Sequence, residues 1–168
     1  MSLSPGWHRH RVEPLGLSVE LLADLPAETW QSPTGGGVFQ TLPEEAGTLF
    51  VHWGESASLE TFRQSLGDLL TRTLDLAESP TEVLGAAALR IAATVESGGA
   101  VAYRRDEAGA LSHTQAPKAR IRTEVLTFTR QGLPVLVGYR VVEPALRRHR
   151  AALRHFLASL RQEFEART

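Results

Sequence analysis

From Ile121 to Phe164 the chain passes from one hydrophobic period to another. Residues 121–142 read IRTEVLTFTRQGLPVLVGYRVV and alternate with a period of two, which sends successive side chains to opposite faces of a strand. Leu126 and Phe128 share one face, and Val125, Thr127 and Thr129 share the other. Gln131-Gly132 supplies the turn, after which Leu133, Val135, Val137, Tyr139 and Val141 form a β-branched, core-facing row. Pro134 lies at the strand start, where its missing donor does least harm. Beyond Glu143 the period becomes 3.6, and Leu146, Leu153, Phe156, Leu157, Leu160 and Phe164 fall within an arc of about 100°. Pro144 suits the first helical turn. The pattern predicts a β-hairpin followed by a long amphipathic helix reaching Phe164.

Upstream elements are shorter. Residues 1–14 are polar and carry Pro5, Gly6 and Pro14, so they read as a flexible arm ahead of a single domain over residues 15–168. In LGLSVELL, Leu17, Val19 and Leu21 alternate with Ser18 and Glu20 as in a half-buried strand. Pro26 ends it, and Trp30 follows as the lid of one end of a core or as a stacking platform for a ligand. SPTGGG, residues 32–37, reads as a hairpin loop or flap. No Gly-Lys-Ser/Thr and no helix follow it, so it fails as a phosphate loop. Strands are expected over Val38 to Leu42 and Thr48 to Glu55. In the second, Leu49, Val51 and Trp53 oppose Phe50 and His52, so both faces are largely apolar and a layer is expected on each. Ser58 caps a helix whose apolar face runs through Leu59, Phe62, Leu66, Leu69, Leu70 and Thr73, with its end at 77–79 before Pro80. Residues 81–97 then read as two short strands bent at Gly85, with a helix as the rival reading because AAALRIAA holds good helix formers. From Gly98 to Arg120 a short strand over Ala100 to Arg104, a turn over Asp106 to Gly109 and an exposed loop over Ser112 to Lys118 are expected.

Composition narrows the class. At 168 residues, 42% hydrophobic and 22% charged, the chain suits one domain with one core. Without cysteine there is no disulfide, thiolate metal site or cysteine nucleophile. The opening residues lack the apolar core of an export signal, and no run approaches a membrane span, so a cytoplasmic protein without membrane association is expected. Net charge is −1 but unevenly spread: residues 1–84 hold 4 basic and 12 acidic residues, and residues 85–168 hold 14 and 7. Either the surface is bipolar and steers a partner, or the two halves interleave and cancel.

The basic residues form two candidate patches. Arg104, Arg105, Lys118, Arg120 and Arg122 surround the loop-rich segment, and Arg147, Arg150, Arg154 and Arg161 form a stripe beside the apolar face of the last helix. Arginines so placed either lay their stems along apolar surface or receive an acidic partner. Trp30 and His52 with the SPTGGG loop are the candidate wall of a small-ligand pocket. No nucleophile elbow, HExxH or calcium loop occurs, and no residue is assigned a catalytic role, a cofactor or a metal. His8 and His10 alone are too few for a metal site.

Several stretches carry a family likeness: GLSVELL with Trp30 after it, SLETFRQSLGDLL, EVLGAAALRI, GYRVV, and a last helix closing on FLASLRQEF. Over residues 15–164 the chain resembles the PsbP-like family, which includes a photosystem II extrinsic subunit, bacterial lipoproteins and cytoplasmic proteins, and a Ran-binding nuclear import factor. Two departures stand out. Pro26 and Trp30 are one residue further apart than in the family's Pro-x-x-Trp, and Leu160 replaces a phenylalanine of the closing helix. The resemblance implies an α+β fold, a central antiparallel sheet with helices on both faces (an α/β/α sandwich) in a bacterial member of the family. It also implies a binding or assembly role; with the basic excess of the second half, the expected function is a non-enzymatic binding or accessory module for an acidic protein partner. The alternatives are a small-ligand protein or enzyme with a pocket at Trp30 and His52, and nucleic-acid binding through the arginine-rich half. Near-zero net charge and few exposed aromatics rank the last reading third.

Overall fold

The computed structural model describes residues 6–66, 71–97, 101–115 and 118–163. The chain opens with β1 (Trp7–Val12) and β2 (Leu17–Leu22), an antiparallel pair joined by a tight turn at Gly16. Leu17, Val19 and Leu21 are buried, as their alternation predicts. β1 corrects the reading of a loose arm over 7–12. It buries little, and what orders it is pairing. Arg9 donates to Ser18 Oγ at 2.9 Å, to the Ser159 carbonyl at 3.0 Å and to Glu20 Oε1 at 2.8 Å. The Trp7 ring stacks on His155 with centroids 4.0 Å apart. None of these partners is local in sequence, so the arm's own composition could not announce them.

β3 (Glu28–Ser32), β4 (Gly35–Thr41) and β5 (Gly47–Gly54) follow as a meander. The glycines of SPTGGG belong to β4, and only Pro33 and Thr34 form the turn. Gln40 is fully buried in β4. Its amide is satisfied by Leu22 N–H and by the Leu22 and Leu25 carbonyls, which fastens β4 to the end of β2. α1 (Leu59–Leu66) begins as predicted, with the Thr61 N–H donating to Ser58 Oγ at 3.1 Å.

The helix does not run to 77–79. It is described as far as Leu66, residues 67–70 lie outside the described residues, and Thr71 already opens β6 (Thr71–Val83), which pairs with β7 (Ala86–Ser97) about Leu84-Gly85. Two long strands thus replace the two short ones expected. Pro80 is tolerated because β6 is the edge of its sheet, where a missing donor faces no neighbour. β8 (Val101–Arg105) and β9 (Leu111–Gln115) form a separate hairpin over the segment read in part as an exposed loop. Its turn is held by Asp106, whose carboxylate accepts from Ala110 N–H at 2.8 Å.

β10 (Ala119–Arg130) and β11 (Leu133–Val142) are the predicted hairpin, turning at Gln131 and Gly132 with φ of 53° and 73°. α2 (Glu143–Ala158) carries Pro144 in its first turn as expected but stops six residues short of Phe164, which lies outside the described residues. The Ser159 N–H and Oγ–H both donate to the Phe156 carbonyl, and Arg161–Gln162 then forms β12, paired with β2.

The main sheet runs β3-β4-β5-β11-β10-β7-β6, antiparallel throughout, beside a three-stranded sheet β1-β2-β12. Alternation divides its side chains into two clusters. Leu49, Val51, Val135, Val137 and Val141 pack with β2 and with Leu153 and Phe156 of α2. Phe50, Ile91, Val125 and Leu136 pack with Phe62 and Leu66 of α1. The architecture is α+β, mostly antiparallel sheet, with two α-helices among the described residues. Among the described residues no helix is long and apolar enough to cross a membrane.

Candidate functional site: an arginine-lined cleft

A cleft of about 790 Å³ opens between α2 and the strands β10, β7 and β6. The helix supplies one wall, because Leu146, Arg150, Arg154 and Leu157 recur every three or four residues and so share a face. The floor comes from even-numbered residues of β10, Arg122, Glu124 and Leu126, with Arg90 of β7 and Tyr139 of β11. Val83 and Leu84, at the β6–β7 turn, contribute to the lining.

The floor is a closed network. Glu124 and Tyr139 are cross-strand partners, and the Tyr139 hydroxyl donates to Glu124 Oε2. Arg90 Nε donates to Glu124 Oε1 at 2.6 Å. Burial raises the Glu124 carboxyl, but the Tyr139 hydroxyl, Arg90 and Arg122 outweigh it and hold the group below the usual carboxylate range. Burial, then the Glu124 carboxylate, push the Tyr139 phenol well up. Arg122 Nη1 donates to Asp75 Oδ1 at 3.1 Å and to Thr94 Oγ1 at 3.0 Å. The helix wall differs. Arg150 and Arg154 are exposed and make no hydrogen bond or ion pair among the described residues. Four arginines and two glutamates, Glu82 and Glu124, therefore line the cleft, and the unpaired positive charge lies on α2.

The structure separates the basic residues singled out in the sequence. Arg150 and Arg154 converge on the cleft with Arg90 and Arg122. Arg147 is exposed on α2 outside its lining. Lys118 and Arg120 share Glu96, each at 3.8 Å, and Arg104 and Arg105 sit on the separate β8–β9 hairpin. Arg90, Glu124 and Tyr139 were not anticipated as a group. Their only sequence signal is the β10–β11 and β7–β10 register, which sets them side by side.

Trp30 and His52 do meet, edge to face with centroids 5.7 Å apart. Trp30 lies on the edge strand β3 and is 36% exposed, so it is no core lid. His52 lines a second cavity, of about 320 Å³, beneath α1. Burial holds its imidazole below the ordinary histidine range. Among the described residues no cluster of three or more His, Asp or Glu could hold a metal ion.

No family model and no curated protein matches the sequence. Solved structures do match in shape. The solution structure of cyanobacterial PsbP (CyanoP) from Synechocystis sp. PCC 6803 superposes with a TM-score of 0.53 at 10% identity, covering 96% of this chain and 95% of that one. A protein of unknown function, PA94 from Pseudomonas aeruginosa, gives a TM-score of 0.39 at 11% identity over 96% and 98% of the two chains. The architecture is thus that of a sheet-rich α+β domain, and the match to CyanoP makes the particular fold PsbP-like. At 10% identity the likeness is one of fold alone.

Proposed function

We propose that the chain is a non-catalytic binding module whose cleft receives an acidic segment of a protein partner. The observation that carries this is the pair Arg150 and Arg154. They stand one helical turn apart on the wall of the cleft, without counter-ions among the described residues. Guanidinium groups so spaced can each take a carboxylate in a two-point contact. The floor beneath them argues against acid–base chemistry. Glu124 has both oxygens engaged and stays ionised, and Tyr139 stays protonated, so neither exchanges a proton near neutral pH. The same reading takes the two core clusters as the two layers of an α/β/α sandwich and places the chain in the cytoplasm.

The test is affinity capture with the tagged chain, comparing wild type, the double variant Arg150→Glu/Arg154→Glu, and Arg147→Glu. A partner bound through the cleft is lost from the double variant and retained by Arg147→Glu, and its affinity falls as salt is raised. Retention by the double variant removes the proposal. Recovery of nucleic acid, released with the steep salt dependence of counterion displacement, would favour nucleic-acid binding in its place.

A further inference from the structure

The cavity beneath α1 has its own construction, independent of the cleft. Thr123 and Glu124 are adjacent in β10 and point to opposite faces, Glu124 into the cleft and Thr123 into this cavity. On the cavity's face the register sets three cross-strand rows side by side. Thr48, Arg140 and Thr123 form the first; Phe50, Gly138 and Val125 the second; His52, Leu136 and Thr127 the third. The centre of the middle row is a glycine, because a Cβ at 138 would strike the Glu124 carbonyl and come within 2.6 Å of Val125 Cγ1. The sheet therefore lacks a side chain between Phe50 and Val125, and Phe62 and Leu66 of α1 join Phe50 in lining the space above it.

Two polar features point to an occupant. Thr123 is 1% exposed, yet its Oγ1 has no hydrogen-bond partner, although buried hydroxyls are nearly always paired. Arg140, its neighbour across the strands, lines the same cavity from an exposed position and makes no ion pair among the described residues. At the far end of the rows His52 stands against Phe50, ring centroids 5.0 Å apart. A largely apolar cavity that holds one free guanidinium and one orphan hydroxyl, with the Thr48, Ser56, Thr61 and Ser65 hydroxyls also in its lining, is complementary to a single anionic oxygen pair on a mostly apolar body. Ligand pockets run from roughly 300 to 1,000 Å³, and this one, at about 320 Å³, is at the small end.

We propose that this cavity binds a compact monocarboxylic acid, with its carboxylate on Arg140 and Thr123 and its ring or short chain between Phe50 and Phe62. A single guanidinium selects one negative charge, and Phe39, Phe50, Phe62, Leu66 and Leu136 favour a largely apolar body. A neutral isostere leaves Arg140 and Thr123 unsatisfied and binds more weakly.

The test is a titration of the full chain with phenylacetate, hexanoate and 2-phenylethanol, followed by amide chemical shifts. Both acids are expected to give saturable shifts centred on Phe50, His52, Thr123 and Arg140, with the alcohol at least roughly tenfold weaker. Arg140→Gln is expected to weaken phenylacetate about tenfold without altering the melting temperature, since Arg140 is exposed and unpaired. Thr123→Val weakens it severalfold while removing the orphan hydroxyl. The double variant Arg150→Glu/Arg154→Glu binds phenylacetate as wild type does, so a failure of the cleft proposal leaves this one standing. The absence of saturable shifts with either acid at about 10 mM, equal binding of the alcohol, or undiminished binding by Arg140→Gln overturns the proposal.

Discussion

Gly36 and Gly37 show how a composition signal can mislead at the scale of single residues. Three successive glycines invite a reading as a backbone kept bare for a ligand. Here the space is taken by rings: a Cβ at 36 would meet Trp53 Cζ2 at 2.5 Å, and one at 37 would meet Trp30 Nε1 and come within 2.6 Å of His52 Cδ2. The glycines make room for rings on both faces of β4, Trp53 on one and Trp30 with His52 on the other. Burial holds the His52 pKa below its unfolded value of about 6.5. His10 and His149 are lowered too, in each case chiefly by burial, and His149 Nε2 is buried without a partner. A depressed histidine is neutral in the folded state, so its contribution is intact above about pH 6.5 and is lost as pH falls, because the unfolded chain takes up the proton first. The urea midpoint should therefore drop between pH 7.5 and 5.5, and His52→Gln should shrink that drop. An equal drop in the variant would show that His52 does not contribute.

Among elements, those that bury one row of side chains could be read from the sequence. β2, β5, the β10–β11 hairpin and α2 all announce themselves by period; β2 buries its predicted row, and α2 buries Leu153 and Phe156 fully and Leu146 and Leu157 in part. β6 could not be read so. From Arg72 to Glu82 every residue is exposed, so no alternation between core and solvent was imprinted there, and Leu69 and Leu70 extended a helical pattern up to it. Its strand form comes from the ladder with β7 and from the Arg63–Glu78 ion pair at 2.9 Å to α1. β1 escaped notice because it buries only Val12 and is ordered by partners distant in sequence. The site was half readable: the helix period exposes the Arg150–Arg154 wall, but the Arg90, Glu124 and Tyr139 floor exists only in the cross-strand register. The hairpin turn offers a test at this scale. Gln131 adopts a left-handed conformation that disfavours most side chains but suits asparagine. Gln131→Asn should raise stability by about 0.5–1 kcal/mol in chemical denaturation, and a loss of stability would contradict the turn geometry.

For the molecule as a whole, the acidic first half and basic second half interleave in part. Arg122 reaches Asp75, Arg148 reaches Glu44 at 3.4 Å, and His155 reaches Glu20 at 3.2 Å, each pair joining one half to the other. What escapes this pairing includes the helix wall of the cleft, where the basic excess stays concentrated. The same interleaving is seen in the backbone, and it bears on how quickly the chain can reach its native state. The middle of the main sheet is the β5–β11 pair, Gly47–Gly54 against Leu133–Val142, with α1 and five strands between them in sequence. The hairpins β6–β7 and β10–β11 close short loops, whereas β5 must find β11 across about half of the chain, and that closure is entropically late. Refolding should then take milliseconds to seconds, in the range of sheet proteins dominated by distant pairings. Val125→Ala, within the β10–β11 hairpin, should mainly slow folding, and Val51→Ala, at the late junction, should mainly speed unfolding. Stopped-flow chevrons distinguish the two, and the opposite assignment would mean that β5 joins the nucleus. Until β5 docks, β11 presents an unpaired edge of Val135, Val137 and Val141, so this interval is when the protein is most exposed to self-association.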